Sequence, residues 1–269
     1  MREKPEEAAD KAAAVLQSRP SGLISDIDGT LSPIVTVPSE AVVLPQARQA
    51  LSELSEEVDL VAVISGRRVD EARHMVGLDH VVYFGNHGLE RWDAANGYRN
   101  QAAGFEEDLR DVRERLSCEL GKNPEVRIED KGAVLSLHYR GAARAKMTRR
   151  LLVSLLERLL PPGKFLVAEG KMVIEVSPAL GIDKGTVVRS LVKERDLRGV
   201  VFIGDDATDI NAMRNLQRLR RAGLQTLSIG VGGREAPDGL ADTSDVLLPN
   251  PTSIASFLKT LAVKLSASS

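Results

Sequence analysis

Residues 23–31 read Leu-Ile-Ser-Asp-Ile-Asp-Gly-Thr-Leu. An apolar run, Leu23-Ile24, leads directly into Asp26, with a second carboxylate two residues on at Asp28. The same grammar recurs along the chain. Leu60 to Ile64 runs into Ser65-Gly66, and Val200 to Ile203 runs into Gly204-Asp205-Asp206. Short apolar runs ending in small or acidic residues read as buried strands with polar groups at their exits. Between the first two, Pro45 stands at a first helical position, and Ala47, Leu51, Leu54 and Val58 share one face, the signature of a crossover helix. Strands feeding crossover helices build a parallel sheet, which binds ligands beyond the carboxyl ends of its strands. Further helices are predicted over 184–195, over 210–222 with Gly223 as stop, and over 253–265. Strands are predicted at 227–229 and 246–248. The class is α/β.

The middle of the chain has a different rhythm. Phe105, Leu109, Val112, Leu116 and Leu120 mark a helix stopped by Gly121, and a hairpin of 126–131 and 133–140 follows around Gly132. Met147, Leu151, Leu155 and Leu159 mark a second helix running into Pro161-Pro162-Gly163, then two strands at 165–168 and 171–176. The pattern α-β-β-α-β-β predicts a smaller α/β domain at 105–176, inserted into a core of 1–104 and 177–269. In its last strand Met172, Ile174 and Val176 share one face, with Lys171 and Glu175 on the other; Glu129 and Lys131 likewise share a side. That polar face either meets a ligand or is simply solvated.

Two carboxylates at one strand tip repel unless a cation or distinct protonation states separate them. The second acidic cluster, Asp205-Asp206 with Asp209, ends another strand and precedes a helix. One of its members can cap that helix, and capping needs only one. Together the clusters offer hard oxygen ligands suited to Mg2+. A screened Asp26 can then attack phosphorus, and Asp28 can protonate the leaving alcohol and later activate water. Ser65-Gly66-Arg67 and Lys184 supply hydroxyl, backbone N–H and positive charge for phosphoryl oxygens.

Composition bounds the remaining possibilities. The 269 residues carry 36 Lys and Arg against 38 Asp and Glu, a formal charge of −2. So near to neutral, the chain has no polyelectrolyte pull toward nucleic acid or an anionic membrane. Aromatic residues are 3% of the chain, too few for base stacking as a main activity. Cys118 has no second cysteine to pair with and builds no zinc cluster. With no apolar run long enough to span a membrane and an N-terminus too acidic for a signal peptide, the expected location is the cytoplasm.

These residues resemble the four motifs of the haloacid dehalogenase (HAD) superfamily, in order: DIDGTL at 26–31, the Ser65 segment, Lys184, and GDDATD at 204–209. A finer resemblance is to trehalose-6-phosphate phosphatases, carried by GNHGLE at 85–90, HYR at 138–140, EGKMVIEVSP at 169–178, and DKG at 183–185. The resemblance covers nearly all of the chain beyond the first twenty residues. It implies a Rossmann-like parallel-sheet core with an inserted α/β cap, and Mg2+-dependent hydrolysis of a sugar phosphate through an aspartyl phosphate. By it Asp26 is the nucleophile, Asp28 the general acid and base, and Ser65 and Lys184 phosphate ligands. Asp26, the Asp28 carbonyl and Asp205 would hold the metal, supported by Asp206 and Asp209. It further implies that Glu129, Lys131, Arg140 and Glu175, with Glu169 and Lys171, meet the sugar.

Gly66 and Arg67 join the phosphate site, and Asn86 and His87 shape the crevice. His138, mid-strand, reads as packed or hydrogen-bonded, and no role is assigned to His74, His80 or Cys118. After GDDATD the family continues with acidic residues and an aromatic, where this chain has Ile210-Asn211-Ala212-Met213. That departure touches the identity of the sugar. Alternatives are another glycosyl phosphate (sucrose phosphate or a glycosyl-3-phosphoglycerate), a phosphomutase, or a non-catalytic sugar-phosphate sensor.

Overall fold

A computed structural model describes residues 3–35, 37–121, 125–170, 172–233 and 236–267. Its contacts divide the chain into two compact units, Met1–Tyr98 with Ile182–Ser269, and Arg99–Gly181.

In chain order the first unit opens with α1 (Pro5–Leu16), β1 (Ser21–Ser25), α2 (Pro45–Glu57), β2 (Leu60–Ile64), α3 (Val69–Val76), β3 (Val82–Gly85) and β4 (Glu90–Asp93); β5 (Gly97–Asn100) follows. The second unit holds α4 (Glu106–Leu120), β6 (Arg127–Asp130), β7 (Leu135–His138), α5 (Ala145–Leu159), β8 (Phe165–Gly170) and β9 (Val173–Pro178). The first unit then resumes with α6 (Lys184–Glu194), β10 (Gly199–Gly204), α7 (Ala207–Arg221), β11 (Gln225–Val231), α8 (Leu240–Thr243), β12 (Val246–Leu248) and α9 (Pro251–Ser266).

The large sheet has the order β12-β11-β10-β1-β2-β3-β4-β5 and is parallel from β12 through β3. From β1 the chain builds outward to β2 and β3 on one side. It later returns to lay β10, β11 and β12 on the other. The direction of strand addition therefore reverses between β1 and β10, the place where open α/β sheets leave a crevice at their carboxyl ends.

Alternation fills both faces of this sheet. Leu23, Val61, Val63, Val201 and Ile203 pack with residues of α1, α2, α3 and α9. Ile24, Ala62, Ile64, Val200 and Phe202 pack with those of α6, α7 and α8. Burial on both sides is why β2 and β10 read as continuous apolar runs and why β1, though it holds Ser21 and Ser25, has no exposed position. Each fully buried Val, Leu or Ile contributes about 1.5–3 kcal/mol to this core.

Side-chain caps fix the starts of α6 and α7. α7 begins at Ala207, three residues before the predicted 210, because the Asp206 side chain accepts from the backbone N–H groups of Thr208 and Asp209 and forms a capping box with Asp209. Asp183 forms a capping box with Thr186 at the start of α6. No helix among the described residues is long and apolar enough to cross a membrane.

The second unit is an antiparallel sheet in the order β6-β7-β9-β8. One face packs against α4 and α5 through Leu109, Val112, Leu116, Leu137, Leu152, Leu156, Ile174 and Val176. The predicted face of α5 is corrected here. Met147 and Leu151 are 61% and 47% exposed, and the buried stripe is Thr148, Leu152, Leu155, Leu156 and Leu159. Steps of four residues drift by about 40° each on a 3.6-residue helix, so the row that starts correctly at Leu159 has turned into solvent by Met147. The last hairpin also differs from prediction: β8 extends to Gly170 and β9 starts at Val173, with Met172 in the turn at φ 62°.

Candidate active site

Three loops of the first unit meet at the carboxyl edge between β1 and β10. Asp26 directly follows β1, and its N–H donates to the Ile203 carbonyl of β10 at 2.9 Å, which fixes one acidic loop against the other. Gly29 makes their close approach possible. Its φ is 82°, and a Cβ there would lie 2.0 Å from an Asp205 carboxylate oxygen. Thr30 Oγ1 donates to Asp205 Oδ1 at 3.2 Å. Thr30 was not singled out in the sequence, although it stands inside the DIDGTL motif.

Lys184 ties the acidic groups together. Its Nζ lies 2.7 Å from Asp26 Oδ1, 2.7 Å from Asp209 Oδ1 and 3.7 Å from Asp206 Oδ1, with 1% of its side chain exposed. Asp209 is fully buried, and its second oxygen accepts the N–H groups of Asp205 and Asp206 at 3.0 Å each. Burial, opposed by Lys184, pushes the Asp26 carboxyl well above its usual range; Asp205 and Asp206 add to the rise. Burial likewise raises Asp209, with Asp26 and Asp206 adding to it against Lys184. Asp205 is pushed up to about 7 by burial and by the charges of Asp209 and Asp206. Burial also acts upward on Asp206, but Lys184 and the hydrogen bonds of the cap outweigh it and hold this group low. Lys184 stays firmly protonated because Asp209 and Asp26 outweigh its own burial.

Oxygen atoms of Asp26, Asp205 and Asp209 all come within 4.8 Å of one another. This donor set is carboxylate only, with neither imidazole nor thiolate, and it fits a hard divalent cation such as Mg2+. The raised carboxyls fit too, since a cation would supply the positive charge that three crowded acids and one lysine leave short.

The second loop follows β2. Ser65 is buried, its N–H donates to the Phe84 carbonyl, and its Oγ accepts the Arg67 N–H at 3.1 Å. Asn86 and His87 stand at φ 48° and 59°; the Asn86 N–H donates to the Arg67 carbonyl and the His87 N–H to the Ser65 carbonyl. Gly66 leaves room for the His87 ring, which a Cβ at 66 would meet at 2.7 Å. Asp28 is drawn aside from the acidic cluster, because the Arg67 guanidinium holds its carboxylate at 2.7 Å on both oxygens.

In the second unit, the sheet face away from its helices carries a cross-strand row. Glu129 pairs in register with Ser136, and Ser136 with Glu175. Lys131 Nζ and Ser136 Oγ each lie 3.0 Å from Glu175 Oε1, and His138 Nε2 lies 2.6 Å from Glu129 Oε2. Ser136 and His138 join this face although the sequence singled out neither as a ligand. Two residues fall elsewhere. Glu169 is opposite Ile174, on the other face, and pairs with Arg149 of α5 at 2.6 Å. Arg140 is exposed in the turn beyond β7. Lys171 lies outside the described residues.

Comparison with known proteins agrees with this geometry. The trehalose-phosphatase family model matches residues 24–238. A trehalose-phosphate phosphatase of Mycobacterium avium is 32% identical over 258 residues, covering 93% of this chain and 64% of that protein. The chain thus spans about two thirds of the length of that relative. A trehalose-6-phosphate phosphatase of Escherichia coli is 31% identical over 224 residues, covering 82% of each. The solved C-terminal domain of a Candida albicans trehalose-6-phosphate phosphatase superposes with a TM-score of 0.78 at 22% identity, covering 97% of both chains, a likeness of fold. With its four motif segments gathered at one sheet edge and most of its length matched, the chain belongs to the trehalose-phosphatase family.

Proposed function

We propose that the protein hydrolyses trehalose 6-phosphate to trehalose and inorganic phosphate through an aspartyl phosphate, with Mg2+ as cofactor. The observation that carries this reading is the buried Asp26 carboxylate held 2.7 Å from Lys184 and within reach of Asp205. A carboxylate so placed has one oxygen fixed and the other to offer to phosphorus.

In the first step an Asp26 oxygen attacks phosphorus, the ester P–O bond breaks, and Asp28 delivers its proton to the departing sugar oxygen. In the second, water attacks the same phosphorus, Asp28 takes the water's proton, and the acyl bond breaks to return Asp26. Lys184 offsets the negative charge of nucleophile and phosphoryl group, and the Ser65 hydroxyl donates to a phosphoryl oxygen. Asp26, Asp205 and the Asp28 carbonyl would hold Mg2+, with Asp206 and Asp209 as supports; when bound, the ion supplies charge neutralisation for a dianionic phosphate. Both oxygens of Asp209 are already engaged, one by Lys184 and one by two backbone N–H groups, which fits a scaffold more than a direct ligand.

The second unit, 105–176 as predicted and Arg99–Gly181 by its contacts, is assigned as the sugar-reading cap. Glu129, Lys131, Ser136, His138 and Glu175 supply the mixture of acceptors and donors that a disaccharide's hydroxyls require. Arg140 remains assigned to the sugar phosphate as an exposed cation, while Glu169 has the weaker case because of its bond to Arg149. The expected location is the cytoplasm.

Phosphate release from a panel tests the substrate. With Mg2+ present, trehalose 6-phosphate should exceed sucrose 6-phosphate, glucosyl-3-phosphoglycerate and glucose 6-phosphate in kcat/KM by at least about tenfold. Equal rates across the panel would overturn the assignment. An isomeric sugar phosphate as main product would make the protein a mutase, and tight binding without turnover a sensor.

A further inference from the structure

Arg67 does something the sequence did not suggest. Its Nε donates to Asp28 Oδ2 and its Nη2 to Asp28 Oδ1, both at 2.7 Å, and Nη2 also donates to the Pro38 carbonyl at 2.9 Å. The stem is pinned as well: the Arg67 N–H is bound by Ser65 Oγ and its carbonyl by the Asn86 N–H. Only 15% of the arginine side chain is exposed, against 39% of the Asp28 side chain.

A bidentate fork fixes a carboxylate in position and in rotation about its own axis, which a single point contact cannot do. Asp28 occupies the Nε–Nη2 edge of the guanidinium, and the Pro38 carbonyl takes the second Nη2 bond that a two-point grip through the Nη1–Nη2 edge would need. We propose that Arg67 is the positioning residue for Asp28, aiming its carboxyl group at the leaving-group oxygen, and is not a phosphate ligand. The inference rests on the phosphatase reading above, in which Asp28 gives its proton to the departing alcohol as the P–O bond breaks. Through Arg67 the turn after β2, the acidic loop after β1 and the Pro38 segment become one assembly, so the direction of proton delivery is set by backbone as far away as Asn86.

The test separates proton delivery from phosphate binding by the leaving group. Trehalose 6-phosphate releases a poor leaving alkoxide that needs a proton; 4-nitrophenyl phosphate releases a phenolate that leaves unaided. kcat/KM reports the steps through that release, so it isolates the first transfer. For Arg67→Ala the expected loss is about 100-fold on trehalose 6-phosphate and under about fivefold on the aryl ester, with Arg67→Lys intermediate on the sugar ester. Asp28→Asn should show the same selectivity, and adding Arg67→Ala to Asp28→Asn should cost less than about twofold more.

Equal losses on both esters in Arg67→Ala, or losses that multiply in the double variant, would overturn the positioning role while Asp28→Asn remains selective. A non-selective Asp28→Asn would instead overturn the acid assignment, and the role of Arg67 with it. Thermal unfolding of Arg67→Lys alongside wild type keeps a folding defect from passing as either result.

Discussion

Lys184 and Asp209 form a buried ion pair at 2.7 Å in which neither side chain is more than 1% exposed. Asp26 shares the same ammonium at 2.7 Å. The lysine is therefore at once a structural counter-ion for a scaffold acid and the cationic neighbour of the proposed nucleophile, and substitutions here should separate folding from chemistry.

Lys184→Ala should remove both. Two buried carboxylates lose their cation, and breaking a buried pair by deleting one member costs about 3–5 kcal/mol. Urea unfolding should show that loss along with a fall in turnover of more than about 100-fold. Unchanged stability would mean the triad is not formed in solution.

Asp26→Asn should abolish turnover and leave the fold intact. The amide keeps the shape of the side chain, and Lys184 retains Asp209. Absence of phosphate release and of any acid-stable phosphoenzyme, at an unfolding midpoint near that of wild type, is the expected pair of results.

Chelation should stop the reaction and added Mg2+ restore it. Asp205→Asn should raise the Mg2+ concentration for half-maximal rate by about 10–100-fold, read from a titration of activity against free Mg2+. Full activity in excess chelator would exclude the metal assignment.

Lys131→Ala and Glu175→Ala break a pair at 3.0 Å on the polar face of the second unit. Each should lower kcat/KM for trehalose 6-phosphate by at least about tenfold and for 4-nitrophenyl phosphate by less than about twofold. Equal losses would show that this face does not read the sugar.

Asp245 gives a pH signature away from the site. Burial acts to raise its carboxyl, but the Arg220 fork and the N–H and hydroxyl of Ser228 outweigh it and hold it below the usual range. A depressed folded-state value means stability that is present above the unfolded value near 4 and lost as pH falls through the lower folded value. Below about pH 4 the wild type should lose stability more steeply than Asp245→Asn, measured by urea midpoints across pH.

The parallel core was legible because β1, β2 and β10 are buried on both faces and lead into acidic or Ser-Gly tips. The polar row of the second unit was legible for Glu129, Lys131 and Glu175, because period-two alternation places residues on faces whatever their partners. It could not announce the Ser136 and His138 contacts, which depend on which strands pair. The hairpin of β4 and β5 escaped notice, since Glu-Arg-Trp-Asp and Gly-Tyr-Arg-Asn have no apolar run to read. The Arg67 contact with Asp28 was not legible for a related reason: a basic residue beside a Ser-Gly turn suits phosphate, and only three-dimensional proximity reveals the acid in its fork.

The central strands also make the acidic cluster depend on contacts distant in sequence. The strand that flanks β1 and brings Asp205, β10, lies about 180 residues later in the chain. Without β10 in place, Asp26 lacks both Asp205 and Asp209 as neighbours. Pairing across so long a stretch of chain carries a large closure entropy, so assembly of this acidic cluster is tied to completion of the parallel sheet.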